Sequence, residues 1–173
     1  MAPRNYYELM AEYNKWMDGK IYAVCAEIPD EERKKDMGAF FKSIHGTLNH
    51  IYFGDIAWLE RLRDNKFTPR KLGVDLFDDY SELRAAQERM DDEILEWSRN
   101  INEDFLKTPY NYVNNVDLKL KILPTWVLVT HMFNHQTHHR GQLTTLMKQL
   151  GYDPGITDIP WLPSLQDDGK ENT

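Results

Sequence analysis

Hydrophobic residues recur along most of the chain at steps of three and four, the spacing that places them on one face of an α-helix. This pattern predicts four long helices, over about residues 5–28, 31–64, 79–101 and 124–150. Their ends carry suitable residues: Glu31 in a first turn, Pro124 at a helix start and Gly151 at a helix end. Four such helices predict an all-α fold, a four-helix bundle.

Two segments depart from the helical pattern. Residues 65–78 contain a proline and a glycine and show no sustained period, so we interpret them as a loop. Residues 105–122 alternate apolar and polar positions in two arms around Asn114 and Asn115. That alternation predicts a small β-hairpin between the third and fourth long helices.

The length of the chain bounds its organisation. Its 173 residues are enough for one domain with a core and short for two. We therefore expect one helical-bundle domain over residues 1–165 and a disordered tail over residues 166–173. The apolar residues just before the tail are expected to dock onto the bundle: Ile159, Trp161 and Leu162.

Charge and composition narrow the possible partners. The formal net charge of −7 argues against general nucleic-acid binding. No apolar stretch approaches the roughly 20 residues that cross a bilayer, and the N-terminal residues lack the apolar segment of a signal peptide. Cys25 is the single cysteine, which excludes an intrachain disulfide, and its apolar helical setting indicates a buried core residue. We expect a cytoplasmic protein without nucleic-acid or membrane partners.

Histidines are concentrated in the fourth predicted helix. On a wheel of about 100° per residue, His135 and His139 lie roughly 70° and 30° from the centre of the apolar face, whereas His131 and His138 lie more than about 100° from it. The inward pair is four residues apart, which brings both imidazoles to one side of the helix. Such a pair suits Zn²⁺, Ni²⁺ or Fe²⁺. The alternative is a pair of core histidines that hydrogen-bond to their neighbours.

A metal site on this pair needs a ligand from another helix. The second predicted helix offers three candidates: His45, His50 and Asp55. The helical wheel does not choose among them, since Asp55 lies within the apolar stripe while both histidines lie off it. Three small residues lie on the same side of the helix as His50: Thr47, Gly54 and Ala57. They can let another helix approach closely.

Neighbouring residues limit the chemistry. A zincin protease needs glutamate after its first ligand histidine, and this chain has Gln136. Arg140 is expected to form a partly buried ion pair with an acidic residue, with anion binding as the alternative, and Gln142 to be a surface or interface residue. Asp55 and Asp158 are both candidates to orient a ligand histidine through a hydrogen bond.

Three segments resemble one known family. HMFNHQTHHRGQLTTLMKQLGYDP resembles the C-terminal signature of DinB/YfiT-like proteins, and AEYNKWMDGKIY resembles their first-helix motif. TLNHIYFGDIAWLERL resembles their second helix, in which His50 precedes Trp58 by eight residues. The matches occur in order and cover most of the chain, with residues 65–122 the least diagnostic.

The resemblance implies a four-helix bundle of the up-and-down type with altered connectivity, often assembled as a homodimer. It also implies one divalent metal ion on His50, His135 and His139, with nickel or zinc favoured and iron possible. Some relatives look like thiol transferases or isomerases that use low-molecular-weight thiols, and many have no known activity.

Three neutral ligands leave a coordination position open, which is typical of catalytic sites. The resulting hypothesis is a metal-dependent enzyme, a thiol S-transferase or hydrolase that activates a thiol or water for transfer to a small electrophile. The first alternative is a metal-binding or stress-response protein without turnover. The second is a purely structural bundle with histidines in its core.

Overall fold

A computed structural model of the protein describes residues 4–66, 68–113 and 119–166. Its helices and strands follow in chain order: α1 Arg4–Glu27, α2 Asp30–Lys34, α3 Ile44–Asp64, α4 Tyr80–Arg99, α5 Glu103–Lys107, β1 Pro109–Val113, β2 Leu120–Pro124 and α6 Thr125–Gln149. Two short 3₁₀ turns come after α6, at Ile159–Trp161 and Pro163–Leu165. None of the described helices is long and apolar enough to cross a membrane.

Four long helices form a bundle whose packing order differs from the chain order. α1 packs against α4 and α6, and α3 packs against the same two helices. The successive long helices α1 and α3 therefore occupy opposite corners, as do α4 and α6. Large, fully buried side chains fill the interior: Tyr7, Met17, Ile21, Leu48, Leu59, Leu83, Ile94 and Phe133. The predicted four-helix bundle is confirmed.

The helix predicted over residues 31–64 is interrupted, which corrects the sequence prediction. α2 and α3 are separated by residues 35–43, in which Gly38 and Lys42 have φ angles of 73° and 66°. Left-handed backbone cannot continue a right-handed helix, so the apolar stripe spans two helices and a loop. Ser43 then begins α3 by accepting a hydrogen bond from a backbone amide of its first turn.

The predicted β-hairpin is confirmed between α5 and α6. Its strands pair antiparallel, from Pro109 opposite Pro124 to Val113 opposite Leu120. Side chains alternate between exposed and half-buried along both strands. One face of the hairpin is therefore turned towards the helices. The turn predicted at residues 114–115 lies outside the described residues.

The segment after α6 docks onto the bundle in part as predicted. Leu162 is buried, and the Tyr13 hydroxyl donates a hydrogen bond of 2.6 Å to the Thr157 carbonyl. Trp161, in contrast, remains 54% exposed. The predicted disordered tail covers residues 166–173, of which all but Gln166 lie outside the described part of the chain.

Candidate metal centre

α6 carries the histidine pair that the sequence singled out. The helix ends just before Gly151, which has a left-handed φ of 88°. Its limits are therefore close to the predicted ones. His139 is buried and His135 half-buried on the side that faces α3, while His131 and His138 are exposed. The separation of the four histidines into an inward and an outward pair is confirmed.

α3 places His50 opposite this pair. Its Nε2 atom lies 3.0 Å from Nε2 of His135 and 3.1 Å from Nε2 of His139. Within the described part of the chain, these three residues form the one group of three or more potential metal ligands whose ligand atoms all lie within 4.8 Å of one another. We call them the histidine cluster. It unites the residues that the family resemblance implied.

Gly54 allows α6 to come this close to α3. A Cβ atom at this position would lie 2.6 Å from Cε1 of His135, well inside van der Waals contact. The imidazole of His135 therefore occupies the space that a side chain would take. The small residue noted beside His50 in the sequence has a direct structural role.

The other two candidates on α3 serve different contacts. His45 Nε2 lies 2.9 Å from the Phe77 carbonyl oxygen, which ties α3 to the loop before α4. Asp55 accepts a hydrogen bond of 2.9 Å from Nε2 of Gln87 on α4. Neither side chain joins the histidine cluster, so of the three candidates His50 alone meets the pair.

Gln142 orients one histidine of the cluster. Nδ1 of His139 lies 2.8 Å from Oε1 of Gln142, and the amide Nε2 of Gln142 lies 3.3 Å from Nε2 of His138. An amide oxygen only accepts, so Nδ1 of His139 carries the proton and its Nε2 lone pair is left for an ion. From the sequence, Asp55 and Asp158 were the candidates for this orienting role, and Gln142 was expected at the surface or at an interface. The structure gives the role at His139 to Gln142, which is half-buried. Its spacing of three from His139 is the signal that could have found it.

Burial keeps the three imidazoles neutral. Loss of hydration lowers the pKa of His50 from 6.5 to about 4 and that of His135 to about 3, and the neighbouring histidines add to both shifts. Burial also lowers the pKa of His139. A neutral imidazole presents the lone pair that a metal ion requires, so the cluster is in its ligand form near pH 7.

An aromatic ring covers the cluster on the side of the loop over residues 35–43. Phe41 stacks on His50 with ring centres 3.7 Å apart and meets His139 edge-on at 5.6 Å. The loop can lie this close to α3 because Gly46 has no side chain, and a Cβ there would be 2.2 Å from the Phe41 carbonyl oxygen. The glycine thus fixes the ring that shields His50 from water.

Two clefts reach the histidine cluster, and both include His50 and Phe53. The first, the polar cleft, measures about 340 Å³ and is lined in part by charged and hydrogen-bonding residues: Lys34, Asp36, Lys42, Asn49, Asp75 and Asp78. The second, the aromatic cleft, measures about 370 Å³ and is lined by His135 and mainly by apolar residues, among them Ala57, Trp58, Tyr112, Leu123 and Val127. Small molecules can therefore reach the cluster from two sides.

Two other residues from the sequence lie away from the cluster. Cys25 is fully buried, and burial raises the pKa of its thiol to about 12, which makes it an unreactive core residue as predicted. Arg140 forms the predicted buried ion pair, with Nη1 at 3.7 Å from Oδ1 of Asp18. Both members of this pair are 3% exposed, so it belongs to the core of the bundle.

Fold and cluster together define a class: a four-helix-bundle protein with three histidines, from two helices, that can hold a metal ion. The model of the DinB family matches residues 1–172. The chain belongs to the DinB family. It is similar to Protein DinB of Bacillus subtilis (strain 168), with 28% identity over 154 residues that cover 85% of this chain and 87% of that protein.

Proposed function

We propose that this DinB-family protein binds one divalent metal ion through the Nε2 atoms of His50, His135 and His139. Nickel and zinc suit an all-imidazole site best, and iron is the next choice. We further propose that the protein is an enzyme that uses the ion to activate water or a thiol for transfer to a small electrophile. The observation that carries the proposal is the convergence of three imidazole nitrogens beside two clefts.

The donor set fits such an ion. Nitrogen ligands bound at about 2.0–2.1 Å to one ion are separated from each other by roughly 2.9–3.4 Å. Nε2 of His50 lies 3.0 and 3.1 Å from Nε2 of His135 and of His139, and both distances fall within this range. All three imidazoles are neutral, and Gln142 fixes the tautomer of His139 that leaves Nε2 unprotonated. Three neutral ligands leave the charge of the ion uncompensated and a coordination position open.

The surroundings of the cluster support turnover over storage. When bound, an ion of this kind supplies a Lewis acid that lowers the pKa of a water or thiol beside it. Phe41 and Phe53 flank His50 and limit the access of bulk water. The polar cleft reaches His50 and the aromatic cleft reaches His50 and His135, so two reactants can approach the cluster from different sides.

Elemental analysis of protein purified without a nickel column tests the proposal. We expect close to one zinc or nickel ion per chain in the parent protein. The substitutions His50→Ala, His135→Ala and His139→Ala should each remove it. His138→Ala and His131→Ala are matched controls on the same helix, since both side chains are exposed and lie outside the cluster. Both controls should keep the ion.

Two outcomes contradict the proposal. The first is a parent protein that stays free of metal after zinc and nickel are offered. The second is loss of the ion from the control variants as readily as from the cluster variants. With metal binding established, a screen of small electrophiles with cellular thiols or water tests the enzymatic part. Turnover should then disappear in the three cluster variants.

A further inference from the structure

The aromatic cleft has a wall made by rings from three elements. Trp58 on α3 meets Tyr112 on β1 with ring centres 6.0 Å apart and meets His131 on α6 with centres 5.0 Å apart. Both contacts are close to perpendicular, at 70° and 71°. Edge-to-face contacts of this kind are favourable and hold the rings in place. The wall is thus ordered before any ligand arrives.

The hairpin is fastened to α3 beside this wall. The Tyr110 hydroxyl donates a hydrogen bond of 2.9 Å to the Arg61 carbonyl oxygen. Tyr112 lies two residues further along β1 and so points to the same side of the hairpin. The guanidinium of Arg61 lies over the Trp58 ring at 5.3 Å and donates to the Ala57 carbonyl oxygen. Strand alternation and these contacts therefore position the cleft.

Small residues open the cleft towards the histidine cluster. Gly54 and Ala57 lie about one turn apart on α3, and both line the cleft together with His50 and His135. A molecule in the aromatic cleft therefore lies against the two half-buried members of the cluster. Arg61 is the charged residue that lines the aromatic cleft, whereas the polar cleft on the other side of His50 has five: Lys34, Asp36, Lys42, Asp75 and Asp78.

We infer that the aromatic cleft binds a flat, apolar aromatic group of the electrophilic substrate, with the reacting part of that substrate next to His50 and His135. This inference rests on the proposed function, because it names the substrate class of the same site. A volume of about 370 Å³ suits a single ring with a short substituent. Trp58 and Tyr112 are then specificity-determining residues, which hold the ring by apolar contact and take no part in the chemistry.

Two hydroxamates that share one metal-binding group separate this inference from the proposed function. Acetohydroxamate carries a methyl group and benzohydroxamate a phenyl group, and the binding of each to the metal-loaded protein is measured by calorimetry. We expect benzohydroxamate to bind about 10- to 100-fold more tightly, because its ring is buried in the aromatic cleft. Ala57→Met fills the cleft and should bring the ratio of the benzohydroxamate and acetohydroxamate affinities close to one. The metal content and the affinity for acetohydroxamate should stay unchanged.

Further variants complete the test. Trp58→Leu removes the wall and should also reduce the ratio, which keeps the inference testable where Ala57→Met fails to fold. Ala23→Met makes the same change at an exposed position of α1 and should leave the ratio as in the parent protein. Equal affinities for the two compounds in the parent protein overturn the inference. So does a high ratio that survives both cleft variants, since the phenyl group then binds elsewhere. Failure of both compounds to bind metal-loaded protein contradicts the proposed function instead.

Discussion

The histidine cluster joins two helices of the bundle, α3 and α6, whereas a second buried polar group joins all four long helices. The second group, which we call the carboxylate cluster, joins all four long helices through five residues: Asp18, Asp55, Gln87, Asp91 and Arg140. Gln87 Nε2 donates to Asp55 and to Asp91, each at 2.9 Å. Asp18 lies against Arg140. Its members therefore bind one another, whereas the histidines of the other cluster point their nitrogens at a common place.

Burial acts on both clusters in the same way but with opposite consequences. Loss of hydration disfavours the charged form of any group. It raises the pKa of Asp55 and Asp91, so these acids hold protons more firmly, and it raises the pKa of Asp18 against the opposing charge of Arg140, with which Asp18 forms an ion pair. It lowers the pKa of His50, His135 and His139, so these bases release protons and expose lone pairs. Only the histidine cluster is thereby prepared for a cation, and the carboxylate cluster is a structural part of the core.

The largest expected effect comes from Asp18→Ala. Arginine does not lose its proton, so Arg140 would remain as a buried and uncompensated charge. We expect the free energy of unfolding of the metal-free protein, measured in urea, to fall by about 3–5 kcal/mol. The folded variant should still bind one metal ion, because Asp18 belongs to the other cluster. Asp92→Ala is the control, since this carboxylate is exposed on α4 and its ion pair with Lys15 contributes little. A stable Asp18→Ala protein without metal would contradict the separation of the clusters.

Gly54→Ala should have the next largest effect, on metal binding. The new Cβ would displace the His135 ring, and we expect metal affinity to fall on the order of 100-fold. Competition with a coloured chelator measures this change. Gly141→Ala on α6 is the matched control, because no atom lies within 4 Å of its added Cβ. The control should keep its affinity and gain about 0.5–1 kcal/mol of stability from helix propensity. Equal affinities in the two variants would show that His135 is not a ligand.

Gln142→Leu should weaken metal binding less. Nδ1 of His139 loses its acceptor, and substitution of such a supporting residue costs about 10- to 100-fold in affinity. Gln142→Glu retains an acceptor for Nδ1 and should restore the affinity of the parent protein. The same chelator competition measures both variants. If Gln142→Leu binds metal as tightly as the parent protein, the orienting role of Gln142 is wrong.

Asp55→Asn should have the smallest effect, on the pH dependence of stability. Burial holds the pKa of Asp55 well above 3.8, Asp18 raises it further, and Gln87 and Arg140 oppose the shift. The unfolded chain therefore releases this proton at a lower pH than the folded chain. Stability is lost as pH rises from the unfolded pKa through the folded one, by up to about 1.4 kcal/mol per pH unit for one carboxyl.

Asparagine imitates the protonated acid, so Asp55→Asn should show a shallower decline between pH 4 and pH 8. Urea unfolding of the metal-free proteins over this range provides the measurement. Parallel curves for parent and variant would mean that Asp55 is ionised in the folded protein.

Periodicity was sufficient for the four long helices, apart from the start of the second one, and for two members of the histidine cluster. His135 and His139 share the apolar side of a regular helix, so their inward direction follows from spacing alone. Periodicity could not identify His50 as a member of the cluster. That prediction came from the resemblance to DinB/YfiT-like proteins. It lies off the apolar stripe of α3, on a side that is covered because Gly54 accepts the ring of His135.

The features that the sequence did not predict depend on local backbone and on pairwise contacts. Phe40 and Phe41 continue the helical spacing, but the left-handed backbone at Gly38 and Lys42 makes their segment a loop. Gln142 points away from the apolar face, yet it reaches His139 across one turn. The spacing of hydrophobic residues predicts neither a left-handed backbone conformation nor a hydrogen bond between two polar side chains.

The sharpest test of the histidine cluster is a crystal structure of the metal-loaded protein, with diffraction data collected at the absorption edge of the metal. We expect one anomalous peak per chain, at about 2.0–2.2 Å from the Nε2 atoms of His50, His135 and His139. The carboxylate cluster should show no peak. A peak at His131, at His138 or among the buried carboxylates, with none at the histidine cluster, would contradict the metal site proposed for this protein.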